Sequence, residues 1–235
     1  MADYDFYYWP VPFRGQFIRA ILAYGGKSWD EHDADEIAGL MSLEPANQPI
    51  AFMGPPVLID AQSGLALSQM PSIAIYLGDS LGLIAHEPGQ RAMTAKVAND
   101  ANDVIDELTL DGGREMWTEA KWEEFIPRLK KWMAIWEATA TRHRLKEDSG
   151  YLLGTAEAGV ADIVTSTLWS TMADRFPPIR AMLDATAPRT AALTRRMQAI
   201  PSLTALQERS FEQYGRAYCG GEIEKSLRRV LDGKG

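Results

Sequence analysis

Apolar and polar positions follow one texture up to about residue 80 and another beyond residue 90. Tyr4 to Trp9 is an aromatic, strand-like run, and Pro10-Val11-Pro12 stops it. Arg14 to Tyr24 sets Phe17, Ile18, Ile21 and Leu22 at helical spacing, closed by Gly25-Gly26. Ser28 to His32 reads as a second strand. Glu36 to Leu43 reads as a short helix, followed by a proline-rich loop. Val57-Leu58-Ile59 is a short apolar run with β-branched residues, and Ala61 to Gly64 is a turn ending in glycine. Leu65 and Leu67 alternate with smaller residues, as a half-buried strand does. A helix begins at Gln69-Met70, with Pro71 just inside its start and Ile73, Tyr76 and Leu77 on its apolar face.

Residues 84–89, with Pro88 and Gly89, read as a linker. Beyond it every periodic segment is helical. Gln90 to Leu110 is one long pattern. Lys121 to Leu145 is another, with Trp122, Phe125, Leu129, Trp132 and Trp136 at helical intervals. Gly159 to Ala173, Ile179 to Leu183, Thr190 to Ala199, Ser202 to Gln207 and Glu222 to Leu231 follow. The expected architecture is an α/β domain over residues 1–83, in the βαβ(α)ββα order of a thioredoxin-like module. An all-α domain over 90–235 follows it.

Composition narrows the function classes. At 235 residues and 46% hydrophobic content the chain can bury a sizeable core. A formal net charge of −8 argues against nucleic acid or an anionic membrane as partner. The start, Met-Ala-Asp-Tyr-Asp, is acidic without an apolar signal core, and no apolar run approaches membrane-spanning length. The single cysteine, Cys219, excludes an internal disulfide. His32, His86 and His143 share no metal-ligand spacing, so no metal is expected. A cytoplasmic protein is the expectation.

Two features go beyond a generic α/β unit. Pro55-Pro56 stands directly before a strand, as either a trans turn or a cis bond; a cis bond would turn a backbone edge outward for an extended peptide. The helix start at Gln69-Met70 offers free N–H groups and a positive dipole end to a carboxylate. Together they could hold a small anionic peptide; an ordinary hairpin packed on a helix explains the same residues.

With both halves read, the chain resembles a cytosolic glutathione transferase of the tyrosine type, closest in pattern to pi- and alpha-like classes. The run from Leu65 to Leu83, through Ser68-Gln69-Met70-Pro71 and Leu81-Gly82-Leu83, follows the family's strand, helix and Leu-Gly-Leu pattern without a gap. Pro56 before Val-Leu-Ile-Asp sits where the family has its cis-proline. Tyr8-Trp9-Pro10-Val11 and Arg14-Gly15 look like the family's opening motif with two extra residues, Pro12-Phe13, in the loop. Gly154 to Asp162 resembles the loop and helix start at the core of the helical domain.

The resemblance implies a homodimer, glutathione as co-substrate, and attack of the glutathione sulfur on a small apolar electrophile, as in detoxification. It implies Tyr8 as the hydroxyl that stabilises the thiolate. Lowering a thiol pKa by two units takes about 2.7 kcal/mol, within reach of one or two donors worth about 1.5–3 kcal/mol each. Tyr7 and Tyr8 face opposite sides of a strand, so one reaches the site and the other is expected in the core. Gln69 and Met70 correspond to the pair holding the γ-glutamyl carboxylate, and Pro55 and Pro56 to the edge pairing with the cysteinyl unit. Asp103, within the series Asp100, Asp103 and Asp106, corresponds to the carboxylate that reaches across the dimer; a solvated acidic face explains it equally. Gln16, with Gln48 or Asn47, is the candidate partner for the glycine carboxylate. Trp9, Phe13 and Trp117 are candidates for the electrophile pocket, although aromatics at helical spacing are more often core. Asp162 is expected to be structural.

Three departures bear on affinity. Met70 has no hydroxyl, Pro55 has no N–H, and no lysine lies between Lys27 and Lys96. The alternative reading is therefore a transferase-like dimer with weak or no glutathione binding that acts as a ligand- or protein-binding module. A glutathione-dependent lyase or isomerase is also compatible.

Overall fold

The computed structural model describes residues 2–233. A four-stranded mixed sheet and three helices come first: β1 (Tyr4–Tyr7), α1 (Phe13–Tyr24), β2 (Trp29–His32), α2 (Ala34–Ser42), a 3-10 turn (Pro45–Asn47), β3 (Val57–Asp60), β4 (Ala66–Ser68) and α3 (Met70–Ser80). The strand order is β2-β1-β3-β4, with β1 parallel to β2 and antiparallel to β3. Helices fill the rest: α4 (Pro88–Leu108), the kinked turn α5 (Leu110–Gly113), α6 (Glu119–Arg142), α7 (Val160–Arg175), α8 (Pro177–Thr186), α9 (Pro188–Gln198), α10 (Pro201–Tyr214) and α11 (Gly221–Asp232). None of these helices is long and apolar enough to cross a membrane.

The alternation along β1 assigns its faces. Tyr4, Phe6 and Tyr8 are buried against α1, while Asp5 and Tyr7 are half-buried on the face that carries α2. Tyr7 therefore differs from expectation. It is not a core residue but stacks on His32 at 3.9 Å, and the buried tyrosine is Tyr8.

Helix α7 is the axis of the second half, buried over nearly its whole length. Asp162 closes its first turn, accepting the Gly159 N–H at 3.0 Å and the Leu152 N–H at 2.7 Å, a structural role as expected. The Val160 N–H donates to the Leu83 carbonyl, tying α7 to the segment after α3. Pro12 and Phe13 also differ from expectation. They are not loop but the N-cap and first residue of α1, with Phe13 buried. Helix α10 runs to Tyr214, beyond the apolar pattern ending at Gln207, and Ser210 near its end is buried as the partner of Arg175.

Candidate active site

Strand register brings three separated residues to one end of the sheet. Tyr7 pairs with Val57, and Val57 pairs with Ser68. Continuing both ladders by one residue sets Tyr8, Pro56 and Gln69 side by side. The Pro55–Pro56 bond is cis. Gln69 is exposed and holds φ 74°, ψ 122°, outside the usual regions for a residue with a Cβ. Helix α3 begins at once after it.

Tyr8 is fixed by α1. Its ring stacks on Phe6 at 6.2 Å, and its hydroxyl accepts the Arg14 N–H at 3.0 Å. That leaves the phenolic proton free for a second partner. Burial pushes the phenol up to about 12, against the lowering influence of Arg14 and Arg19, so Tyr8 stays a protonated donor at neutral pH.

Arg14, to which the sequence reading gave no role, lies beside Tyr8. Its Nε donates to Asn102 Oδ1 at 3.1 Å and its Nη2 to Asp106 Oδ1 at 2.9 Å, so α4 holds a cation beside the Tyr8 hydroxyl. These contacts gave no sequence signal because Asn102 and Asp106 lie some ninety residues away; the guanidinium also lies 4.8 Å from the ring centroid of the adjacent Phe13. Asp106, not Asp103, makes this contact. Asp103 is exposed on α4 and touches none of these residues.

The C-terminal strap closes over α1. Tyr218 is buried, packs edge-on against Phe13 at 5.5 Å, and its carbonyl accepts the Phe13 N–H at 3.1 Å. Glu224 holds the strap in place: its Oε2 accepts the N–H groups of Tyr218, Cys219 and Gly220, and its Oε1 accepts from Arg228. Trp9, half-buried, flanks the same turn. Burial, then the Glu224 charge, pushes the Cys219 thiol up to about 12.

Two expected site residues lie elsewhere. Gln16 lines a small cavity, about 10 Å³, between α1, α7 and α10, with Ser170 and Arg175 among its neighbours. Its Oε1 is buried without a hydrogen-bond partner among the described residues. Trp117 sits in an aromatic cluster with Trp122 and Phe125. Its indole N–H donates to the Leu108 carbonyl and its backbone N–H to Ser226 Oγ, so both of its N–H donors are used inside the helical half. Met70 is fully buried; only its backbone N–H belongs to the helix start.

The sequence pattern of the glutathione S-transferase C-terminal domain matches residues 93–230. No curated protein matches the sequence. Among solved structures, monomeric Na-GST-3, a glutathione S-transferase from the human hookworm Necator americanus, is 20% identical with a TM-score of 0.70. The match covers 88% of this chain and 96% of that one. A Nu-class GST from Haemonchus contortus is 19% identical, with a TM-score of 0.67 and coverage of 88% and 97%. A nematode-specific GST of C. elegans is 18% identical, with a TM-score of 0.70 and the same coverage. At these identities the likeness is one of fold.

Proposed function

This chain belongs to the glutathione S-transferase family, and from that premise we propose that it conjugates the glutathione thiolate to small apolar electrophiles. The observation that carries the reading is the convergence of Tyr8, Pro56 and Gln69 at one sheet end, with the Tyr8 proton uncommitted. Glutathione lies along the edge at Pro55–Pro56, its γ-glutamyl carboxylate at the exposed Gln69 and the Met70 N–H. Its thiol proton leaves to solvent. The Tyr8 hydroxyl donates to the resulting thiolate, and Arg14 adds positive potential beside it. The sulfur then forms a bond to the electrophilic carbon, and the leaving group departs with the displaced electron pair. Trp9 and Phe13 bound the apolar side. Homodimerisation, with Asp103 acting between copies, belongs to the same reading and is checked by sedimentation.

Conjugation of chlorodinitrobenzene tests the assignment. Wild-type chain is expected to turn over, and Tyr8→Phe to lose about tenfold or more in kcat/KM, since one hydrogen bond to a charged group is worth about 1.5–3 kcal/mol. Unchanged activity in Tyr8→Phe removes the role given to that residue. Calorimetric titration with glutathione separates transferase from the alternative, a binding module that does not hold the tripeptide.

A further inference from the structure

We propose that His32 is a pH-sensitive latch that holds α2 against the sheet and, through α2, orders the segment leading to Pro55. The proposal rests on the glutathione reading only for its effect on ligand affinity; the latch itself is a matter of the fold.

His32 ends β2 and faces two carboxylates. Its Nδ1 lies 3.0 Å from Glu36 Oε1 and its Nε2 3.0 Å from Asp5 Oδ1. An ionised carboxylate only accepts hydrogen bonds, and a neutral imidazole has one N–H. Both contacts are hydrogen bonds together only in the imidazolium. The ring also lies flat on Tyr7, 3.9 Å between centroids and 5° between planes, a seat that suits a cation. The groups around the ring are Asp5 and Tyr7 from β1 and Glu36 from α2, with Asp33 engaged in capping that helix. Among the described residues, the ionic partners of the ring are Asp5 and Glu36, both acidic. Burial by itself lowers the imidazole, but the bonds to Glu36 and Asp5 outweigh it and leave His32 above its ordinary value.

Helix α2 has little else to hold it, since Ile37 is its only buried side chain. Glu36 also closes the capping box of α2 by accepting the Asp33 N–H at 3.0 Å, so the latch grips the helix at its first turn. The last turn is stapled onward. Gln48 donates to the Leu40 carbonyl at 3.3 Å and accepts the Phe52 N–H at 2.9 Å. Phe52 lies three residues before Pro55. A path of hydrogen bonds therefore runs from His32 through α2 to Phe52, next to the peptide edge.

The sign follows from a raised folded value. The stabilisation is complete below the ordinary histidine pKa and disappears as pH rises through the folded one. Losing the proton turns one of the two contacts into a lone pair facing a carboxylate, and that contact breaks. Residues 34–53 then loosen.

Two readouts test this. S-methylglutathione, which has no thiol to titrate, is expected to bind at least threefold more weakly at pH 8.5 than at pH 6. Amide hydrogen exchange of residues 34–53, corrected for intrinsic rate, is expected to lose protection over the same range. In His32→Gln both readouts are expected to sit at the high-pH value throughout, and in His32→Arg to lose their dependence on pH. Protection that does not change with pH in wild type, or a His32→Gln chain that keeps the wild-type dependence, overturns the latch. If S-methylglutathione binds at no pH while exchange still follows His32, the transferase reading falls and the latch stands.

Discussion

The ring of Tyr8 rests on the bare Cα of Gly15: a Cβ built there would lie 2.3 Å from Tyr8 Cδ1 and 2.7 Å from Cγ. Gly15 is in the first turn of α1, where alanine would ordinarily favour the helix by about 1 kcal/mol. It is glycine because the catalytic candidate occupies the space. The same amide run that gives Tyr8 its Arg14 N–H thus also sets the ring's position.

Gly15→Ala is therefore expected to reverse the usual gain. Overpacking of about 1–3 kcal/mol exceeds the helix term, so the melting temperature falls, and Tyr8 is pushed from the Arg14 N–H. The combined signature is lower stability with kcat/KM reduced nearly as far as in Tyr8→Phe. An alanine variant as stable and active as wild type refutes the close contact.

Arg19 and Glu31 make a half-buried ion pair under this turn, with Nε to Oε1 at 2.6 Å and Nη2 to Oε2 at 2.9 Å. Arg19 is the more deeply buried, with 3% of its side chain exposed against 27% for Glu31. Glu31→Ala leaves the buried guanidinium with only the Val11 and Pro12 carbonyls as acceptors and is expected to cost about 3 kcal/mol, the lower end for a broken buried pair. Arg19→Met should cost less, because the carboxylate keeps Trp29 Nε1 and Tyr214 and can hydrate. Burial pushes Glu31 up, but Arg19 outweighs it and holds the carboxyl below its ordinary value. This stabilisation is present above about pH 4.5 and is lost as pH falls through the folded pKa. Urea melts of both variants at pH 7 and of wild type at pH 3–5 check the order and the sign.

Met70→Ser separates two views of the helix start. Read from sequence, Met70 lacks a hydroxyl donor and its replacement should tighten glutathione binding. In the fold its side chain is fully buried with Ile73 and Leu77, so a hydroxyl there points into the core. The expected outcome is a loss of about 2–5 kcal/mol in stability, as for large-to-small core changes, with S-methylglutathione affinity within threefold of wild type. Calorimetry and a denaturant melt on one preparation decide between them.

These cases mark what sequence could and could not carry. The strands around Val57 and Leu67, the helix stop at Gly25-Gly26 and the periodic helices of the second half were legible, because each is written in local spacing. The trio Tyr8, Pro56 and Gln69 came from the family resemblance and not from local spacing; the strand register sets the three side by side. The Arg14 clamp by Asn102 and Asp106, the strap of Tyr218 on Phe13 and the inward turn of Gln16 were not legible. Each joins residues distant in the chain through packing of helices whose relative rotation no local pattern encodes. Trp117 illustrates the converse: its helical neighbours Trp122 and Phe125 already suggested a core aromatic, and that is its place.

The strap offers the sharpest chemical readout, through the one thiol in the chain. Glu224 accepts three successive N–H groups, at 2.9, 2.9 and 2.6 Å, and pairs with Arg228. Burial raises this carboxyl, but the Tyr218 and Gly220 amides and Arg228 outweigh it and hold it below its ordinary value. The strap is accordingly secure above about pH 4.5 and loosens as pH falls through the folded pKa. Glu224→Ala removes all of these acceptors at once. The segment from Tyr218 to Gly220 then leaves Phe13, and Cys219, whose thiol is now held near 12, gains water and ionises more readily. Labelling of Cys219 by an aromatic disulfide at pH 8 is expected to be at least tenfold faster in Glu224→Ala than in wild type. Glu224→Gln keeps one acceptor oxygen and should fall between them. Equal labelling rates in all three would mean that the strap is held by the packing of Tyr218 on Phe13 and Phe176 alone, and that the carboxylate is dispensable.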